Sequence, residues 1–111
     1  MLSFWHGVNV MDQFHLCPKF EQAFELLGKR WTGLIIRILL DGPKRFSEIA
    51  GAATNLSDRL LTERLKDLED AGLVTRQVYP EKPVRIEYTL TERGQQLRPV
   101  MDAIQNWAEH Q

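Results

Sequence analysis

A single cysteine, Cys17, stands among the 111 residues, which excludes any disulfide within one chain and with it the disulfide-scaffold class. Long hydrophobic runs are missing too. The longest, Leu34 to Leu40, is broken by Arg37 and falls short of the roughly 18 residues of a membrane span, so no membrane partner is expected. The opening stretch, Met1 to Val10, has no basic n-region and no cleavable apolar segment, and is expected not to be a signal peptide; the expected location is the cytoplasm. No basic excess exists: 14 Lys and Arg face 15 Asp and Glu, and the span Asp41 to Arg85 balances eight against eight. A polyanion binder usually carries net positive charge, so any nucleic-acid surface must come from arrangement in space. No Ser/His/Asp set and no phosphate-binding glycine loop is present, and the acidic residues are scattered; neither an enzyme nor a cofactor is expected. His6, His15 and Cys17 match no closed zinc pattern, so no metal site is expected. Repeats and low-complexity tracts are absent from the sequence.

What remains is ordinary globular material, 43% hydrophobic and 26% charged, of a length suited to one domain. Residues 1–16 mix aromatic, His and polar residues without periodicity and are expected to form an arm. Residues 17–111 carry the folded domain. Pro18 suits the first turn of a helix, and Phe20, Ala23, Phe24 and Leu27 follow at the spacing of one helix face, with Gly28 as the stop. A second helix, from Trp31 or Thr32 to Leu40, is apolar almost throughout and is expected to be buried on most sides, ending at Asp41-Gly42-Pro43. A short helix capped by Ser47 is expected to run to Ala53, and a longer one, capped by Ser57, to Ala71 with Gly72 beyond it. The period then changes. Val74 to Tyr79 and Val84 to Leu90 read as two strands of a hairpin whose tip, Pro80-Glu81-Lys82-Pro83, is stiffened by two prolines. A last helix runs from Thr91 to Glu109, where Pro99 predicts a kink.

This order predicts a mainly α fold with a small β-hairpin wing (α+β), a winged helix-turn-helix, in which the second helix of the pair can enter a major groove. On the segment from Ser57 to Ala71, Leu61, Leu65 and Leu68 stack on one side, while Arg59, Thr62, Glu63 and Lys66 face the other. Arg suits bidentate contact with guanine, Thr a base edge or a thymine methyl, and Lys a phosphate or guanine. Ser57 and Asp58 stand at the leading end, where free N–H groups favour phosphate. Lys44 and Arg45 ahead of the short helix, and Lys82 and Arg85 on the wing, are candidate backbone contacts that would position the reader. The competing interpretation of such a flank is a solvated helix face, and Asp58 and Glu63 speak for it.

These residues carry a resemblance to the HxlR-type family of bacterial winged helix-turn-helix regulators. It runs from Cys17-Pro18 to Trp107, through Gly28-Lys29-Arg30-Trp31-Thr32, Asp41-Gly42-Pro43-Lys44-Arg45-Phe46-Ser47-Glu48, Leu56-Ser57-Asp58-Arg59-Leu60, Ala71-Gly72-Leu73-Val74 and Arg85-Ile86-Glu87-Tyr88-Thr89-Leu90-Thr91. Val84 departs from it, standing where a second consecutive wing proline is common. The resemblance implies a homodimeric, sequence-specific binder of double-stranded DNA that regulates transcription, with the first and last helices forming the interface. Phe20, Phe24, Val100, Met101, Ile104 and Trp107 supply apolar surface for such a dimer, and two-fold pairing would match a palindromic operator. Repression is the expected mode, since occupancy alone blocks a polymerase. The alternative is a winged helix used for protein contact without a sequence-specific DNA site, a reading the near-neutral charge favours.

Cys17 opens the first helix, where the helix N-terminus and Lys19 favour the thiolate, and the resemblance places a redox-sensing cysteine at this Cys-Pro position in several relatives. The other reading of a solitary cysteine is a small buried hydrophobe.

Overall fold

The computed structural model describes residues 17–110; the expected arm, with His6 and His15, lies outside them. Helix α1, Pro18–Leu27, starts with Cys17 in extended conformation as its N-cap and Pro18 in the first turn. The connector that follows places Trp31 in the left-handed region (φ 79°), unusual for a residue with a Cβ, and the Arg30 guanidinium lies 4.9 Å from the Trp31 ring centroid. Helix α2, Thr32–Leu39, buries Thr32, Ile35, Ile36 and Leu39. It is buried on most sides, as its composition predicts, with one exception: Leu34 is 41% exposed and faces a surface groove instead of the core.

Strand β1, Lys44–Arg45, was not expected. It pairs antiparallel with the far strand of the wing, Lys44 opposite Tyr88 and Arg45 opposite Glu87. Because β1 holds the chain extended up to Arg45, helix α3, Phe46–Ala52, starts one residue before Ser47, and its N-cap is Arg45, not Ser47. The Arg45 N–H donates to the Glu48 carboxylate at 2.8 Å, which satisfies one free donor of the helix start. Helix α4, Asp58–Asp70, follows the expected bounds, with Ser57 as N-cap accepting from the Leu60 N–H at 3.1 Å. Its end is a Schellman motif: Leu73 N–H donates to the Leu68 carbonyl and Gly72 N–H to Glu69, with Gly72 at φ 77°.

Strands β2, Val74–Tyr79, and β3, Arg85–Leu90, form the wing, in register from Val74 opposite Leu90 to Tyr79 opposite Arg85, and the sheet order is β1-β3-β2. The last helix is broken in two, not kinked. Helix α5, Glu92–Gln95, is capped by Thr91, and α6, Arg98–Glu109, starts afresh with Pro99 in its first turn, where a missing N–H costs no hydrogen bond. One core unites these elements: Ile35, Ile36 and Leu39 of α2, Ile49 of α3, Leu61, Leu65 and Leu68 of α4, Val74, Tyr88 and Leu90 of the sheet, and Met101 of α6. No described helix is long and apolar enough to cross a membrane.

Candidate nucleic-acid interface

With its leucine stripe in the core, α4 turns Arg59, Thr62, Glu63 and Lys66 outward, all exposed, and Ser57 and Asp58 are exposed at its leading end. The four outward side chains are not equivalent. Arg59 has no hydrogen-bond or ion-pair partner among the described residues. Lys66 donates to Asp70 one turn on, at 3.1 Å, and that hydrogen bond, with the attraction of the carboxylate, raises its pKa. The Thr62 hydroxyl donates to the Asp58 carbonyl at 2.8 Å.

The rear margin of α4 is braced to the connector between α1 and α2. Arg64 Nε donates to the Arg30 carbonyl at 2.9 Å, while Asp67 accepts an ion pair from Arg64 and another from Lys29, each at 3.3 Å. Composition gave no signal for this brace, since its carbonyl lies 34 positions away in the chain. It adds a polar tie to the facing that the buried leucine stripe already gives α4.

On the wing, Lys82 is exposed, whereas Arg85 is committed. Its guanidinium makes two contacts with the Glu81 carboxylate, at 2.8 and 3.3 Å, one with Glu87 at 2.6 Å, and lies 3.9 Å over the Tyr79 ring. These partners hold the Arg85 pKa above its ordinary value, and the same hydrogen bond to Arg85, helped by the charge of Arg45, lowers that of Glu81. Lys44 and Arg45 therefore do not form a separate flank. The β1–β3 ladder joins them to the wing base, with Lys44 partly covered and Arg45 exposed.

A second surface lies elsewhere. Phe20 and Phe24, with ring centroids 5.0 Å apart, Leu34, Val100 and Ile104 are each at least 41% exposed and line one groove between α1, α2 and α6. Trp107, 69% exposed, extends it along α6. Met101 is only 7% exposed and packs into the chain's own core, yet it also lines this groove. Leu34, unforeseen, lines it too. Two ties fix α6 beside α2, the Arg37–Asp102 ion pair at 2.7 Å and a hydrogen bond from Arg98 to the Leu40 carbonyl at 2.8 Å. Cys17 is a free, exposed thiol at the head of α1, not a buried hydrophobe.

The family model for the HxlR-like helix-turn-helix matches residues 26–111. The chain belongs to this family. Among its relatives in Bacillus subtilis (strain 168), the uncharacterized HTH-type transcriptional regulator YvaP is 54% identical over 98 residues, covering 88% of this chain and 91% of the relative. The HTH-type transcriptional regulator YodB is 55% identical over 94 residues, covering 85% and 84%. The solved structure of reduced YodB superposes with a TM-score of 0.78 over 85% of this chain and 92% of its own; diamide-treated and quinone-bound forms of YodB superpose at 0.75 and 0.76. The redox regulator HypR in its oxidized form, 36% identical, gives a TM-score of 0.80 and covers 86% of this chain and 97% of its own.

Proposed function

We propose that this chain is a homodimeric transcriptional regulator that binds double-stranded DNA in a sequence-specific manner, acts as a repressor in the cytoplasm, and responds to oxidants or electrophiles through Cys17. The observation that carries the reading is the outward flank of α4, with Arg59 in its first turn lacking a partner among the described residues, on a helix seated by its leucine stripe and tied from behind by Arg64. Base contacts fall to Arg59, Thr62 and Lys66, with Ser57 and Asp58 at the entry end; Lys82, Arg45, Lys44 and Arg85 serve the flanking backbone. Arg85 contributes less by charge than by holding the hairpin tip in shape. A second copy of the chain covers the groove of Phe20, Phe24, Leu34, Val100, Ile104 and Trp107 and sets the two reading helices about 34 Å apart, one turn of duplex, on a palindromic operator.

The exposed Cys17 thiol at the head of α1 supports the sensing role, as does the relative YodB, whose structure was solved in reduced, diamide-treated and quinone-bound forms. With one cysteine per chain, three routes are open: an intersubunit disulfide, a mixed disulfide formed in the same two-electron way with a small thiol, and alkylation. Thiols of two subunits lose two protons and two electrons to a diazene oxidant, giving one intersubunit disulfide and the hydrazine. Otherwise the thiolate adds to a ring carbon of a quinone, one ring oxygen takes a proton, and the hydrogen on the attacked carbon moves as a proton to the other oxygen, giving a hydroquinone thioether.

Fluorescence anisotropy with the DNA upstream of the chain's own gene tests the reading. At about 50 mM salt a saturable complex is expected that competitor DNA of random sequence does not displace and that weakens steeply with added salt. Diamide or a benzoquinone should change the affinity of the wild type and leave Cys17→Ser unaffected. Absence of any sequence-dependent complex would favour a protein-contact role for the winged helix, and an unchanged response in Cys17→Ser would remove the thiol from the mechanism.

A further inference from the structure

We propose that Thr62 is a specificity-determining residue that reads the 5-methyl group of a thymine through its own methyl group. The inference rests on the DNA-binding reading of α4 and deepens it. By residue type, threonine can donate to a base, accept from one, or make an apolar contact. Here the hydroxyl hydrogen is already committed: Thr62 Oγ1 donates to the Asp58 carbonyl at 2.8 Å, within the helix. That leaves no donor for a base, while the side chain stays exposed on the outward flank. A β-branched residue whose hydroxyl is turned back along its own helix presents its methyl group outward, with the hydroxyl oxygen, as an acceptor, the rival contact that the test below separates.

The neighbours strengthen the assignment. Glu63, the exposed neighbour of Thr62, is an acceptor only, and Lys66, one turn further on, is drawn to Asp70, so the middle of the flank offers a base no free donor. Arg59 and Thr62 are three residues apart on one face, about 4.5 Å along the axis, comparable to the rise between adjacent base pairs. Each half-site is therefore expected to hold a thymine next to, or one pair removed from, the guanine that Arg59 contacts.

The test starts from duplexes selected by the wild-type protein from a randomised library, in which each thymine is then replaced by deoxyuridine, removing only the methyl group. One thymine per half-site is expected to lose about fourfold in affinity on replacement, the value of one buried methyl group. Thr62→Ser, which keeps the hydroxyl and lacks the methyl, should bind the thymine and deoxyuridine duplexes equally; Thr62→Val, which keeps a methyl, should still discriminate. The proposal is overturned if no deoxyuridine replacement weakens the wild type, a result that depends on no variant folding. It is equally overturned if Thr62→Ser discriminates and Thr62→Val does not, which would make the hydroxyl oxygen the reader. A library that yields no consensus overturns the DNA-binding reading itself, and the assignment of Thr62 with it.

Discussion

Charge at a single residue means little here until its partners are counted. Lys82 and Arg85 sit three positions apart and look alike in sequence, yet Lys82 is exposed while Arg85 is held between Glu81 and Glu87 over the Tyr79 ring. Their alanine variants should therefore part company. Lys82→Ala should weaken binding to all duplexes alike and reduce the salt slope by about one counterion, with thermal stability unchanged. Arg85→Ala should instead loosen the wing, visible as faster amide exchange from Tyr79 to Arg85, before any effect on the salt slope. Acid should act on the same contact. The Glu81 carboxyl is held below its ordinary pKa by the hydrogen bond from Arg85, so its contribution is fully present above the ordinary glutamate value and is lost as pH falls through the lowered one. A carboxyl-carbon NMR titration should place the Glu81 midpoint lower in the wild type than in Arg85→Ala; equal midpoints would deny the pairing.

At the scale of elements, the helices and strands were legible where periodicity and caps agreed. The leucine stripe, the Ser57 cap and the Gly72 stop give α4 its bounds from sequence alone, and the alternation of β3 marks the wing. Three features were hidden, each for a physical reason. Strand β1 has only two residues and is defined by a partner 43 or so positions away, too short for any period to register. The division between α5 and α6 reflects a choice Pro99 leaves open, since a proline is accommodated either by a kink or by a new first turn. The outward turn of Leu34 was masked because an all-apolar helix does not say which flank meets the core and which a groove. Gly94 shows how closely the elements are set: a Cβ there would run into the Leu73 carbonyl and come within 2.9 Å of the Leu90 side chain. Gly94→Ala should accordingly destabilise the fold by about 1–3 kcal/mol, measured by urea unfolding. An unchanged midpoint would mean that the α5 junction gives way freely.

For the molecule as a whole, the two surfaces divide the work: a polar flank on α4 and an apolar groove between α1, α2 and α6. Exposed apolar side chains gathered in one groove mark an association site, and here the occupant is taken to be a second subunit. Ile104→Glu should convert the dimer to monomer in sedimentation velocity and weaken operator binding by well over tenfold, because two half-sites bound through one rigid dimer gain affinity that two separate subunits lack. A variant that remains dimeric would move the interface elsewhere. The groove was only half legible in the sequence: the excess of aromatic and aliphatic residues on the terminal helices pointed to an apolar surface, but not the part that Leu34 takes in it.

In the proposed function the outward flank of α4 lies in the major groove with Arg59 on a guanine. Methylation interference addresses it directly, since dimethyl sulfate modifies guanine N7 in that groove. The account predicts one guanine per half-site whose methylation blocks the wild type, and an Arg59→Ala protein that binds about 1–3 kcal/mol more weakly and no longer distinguishes methylated from unmodified duplex at that position. Interference confined to the minor groove, or a guanine signal that persists unchanged in Arg59→Ala, would contradict it.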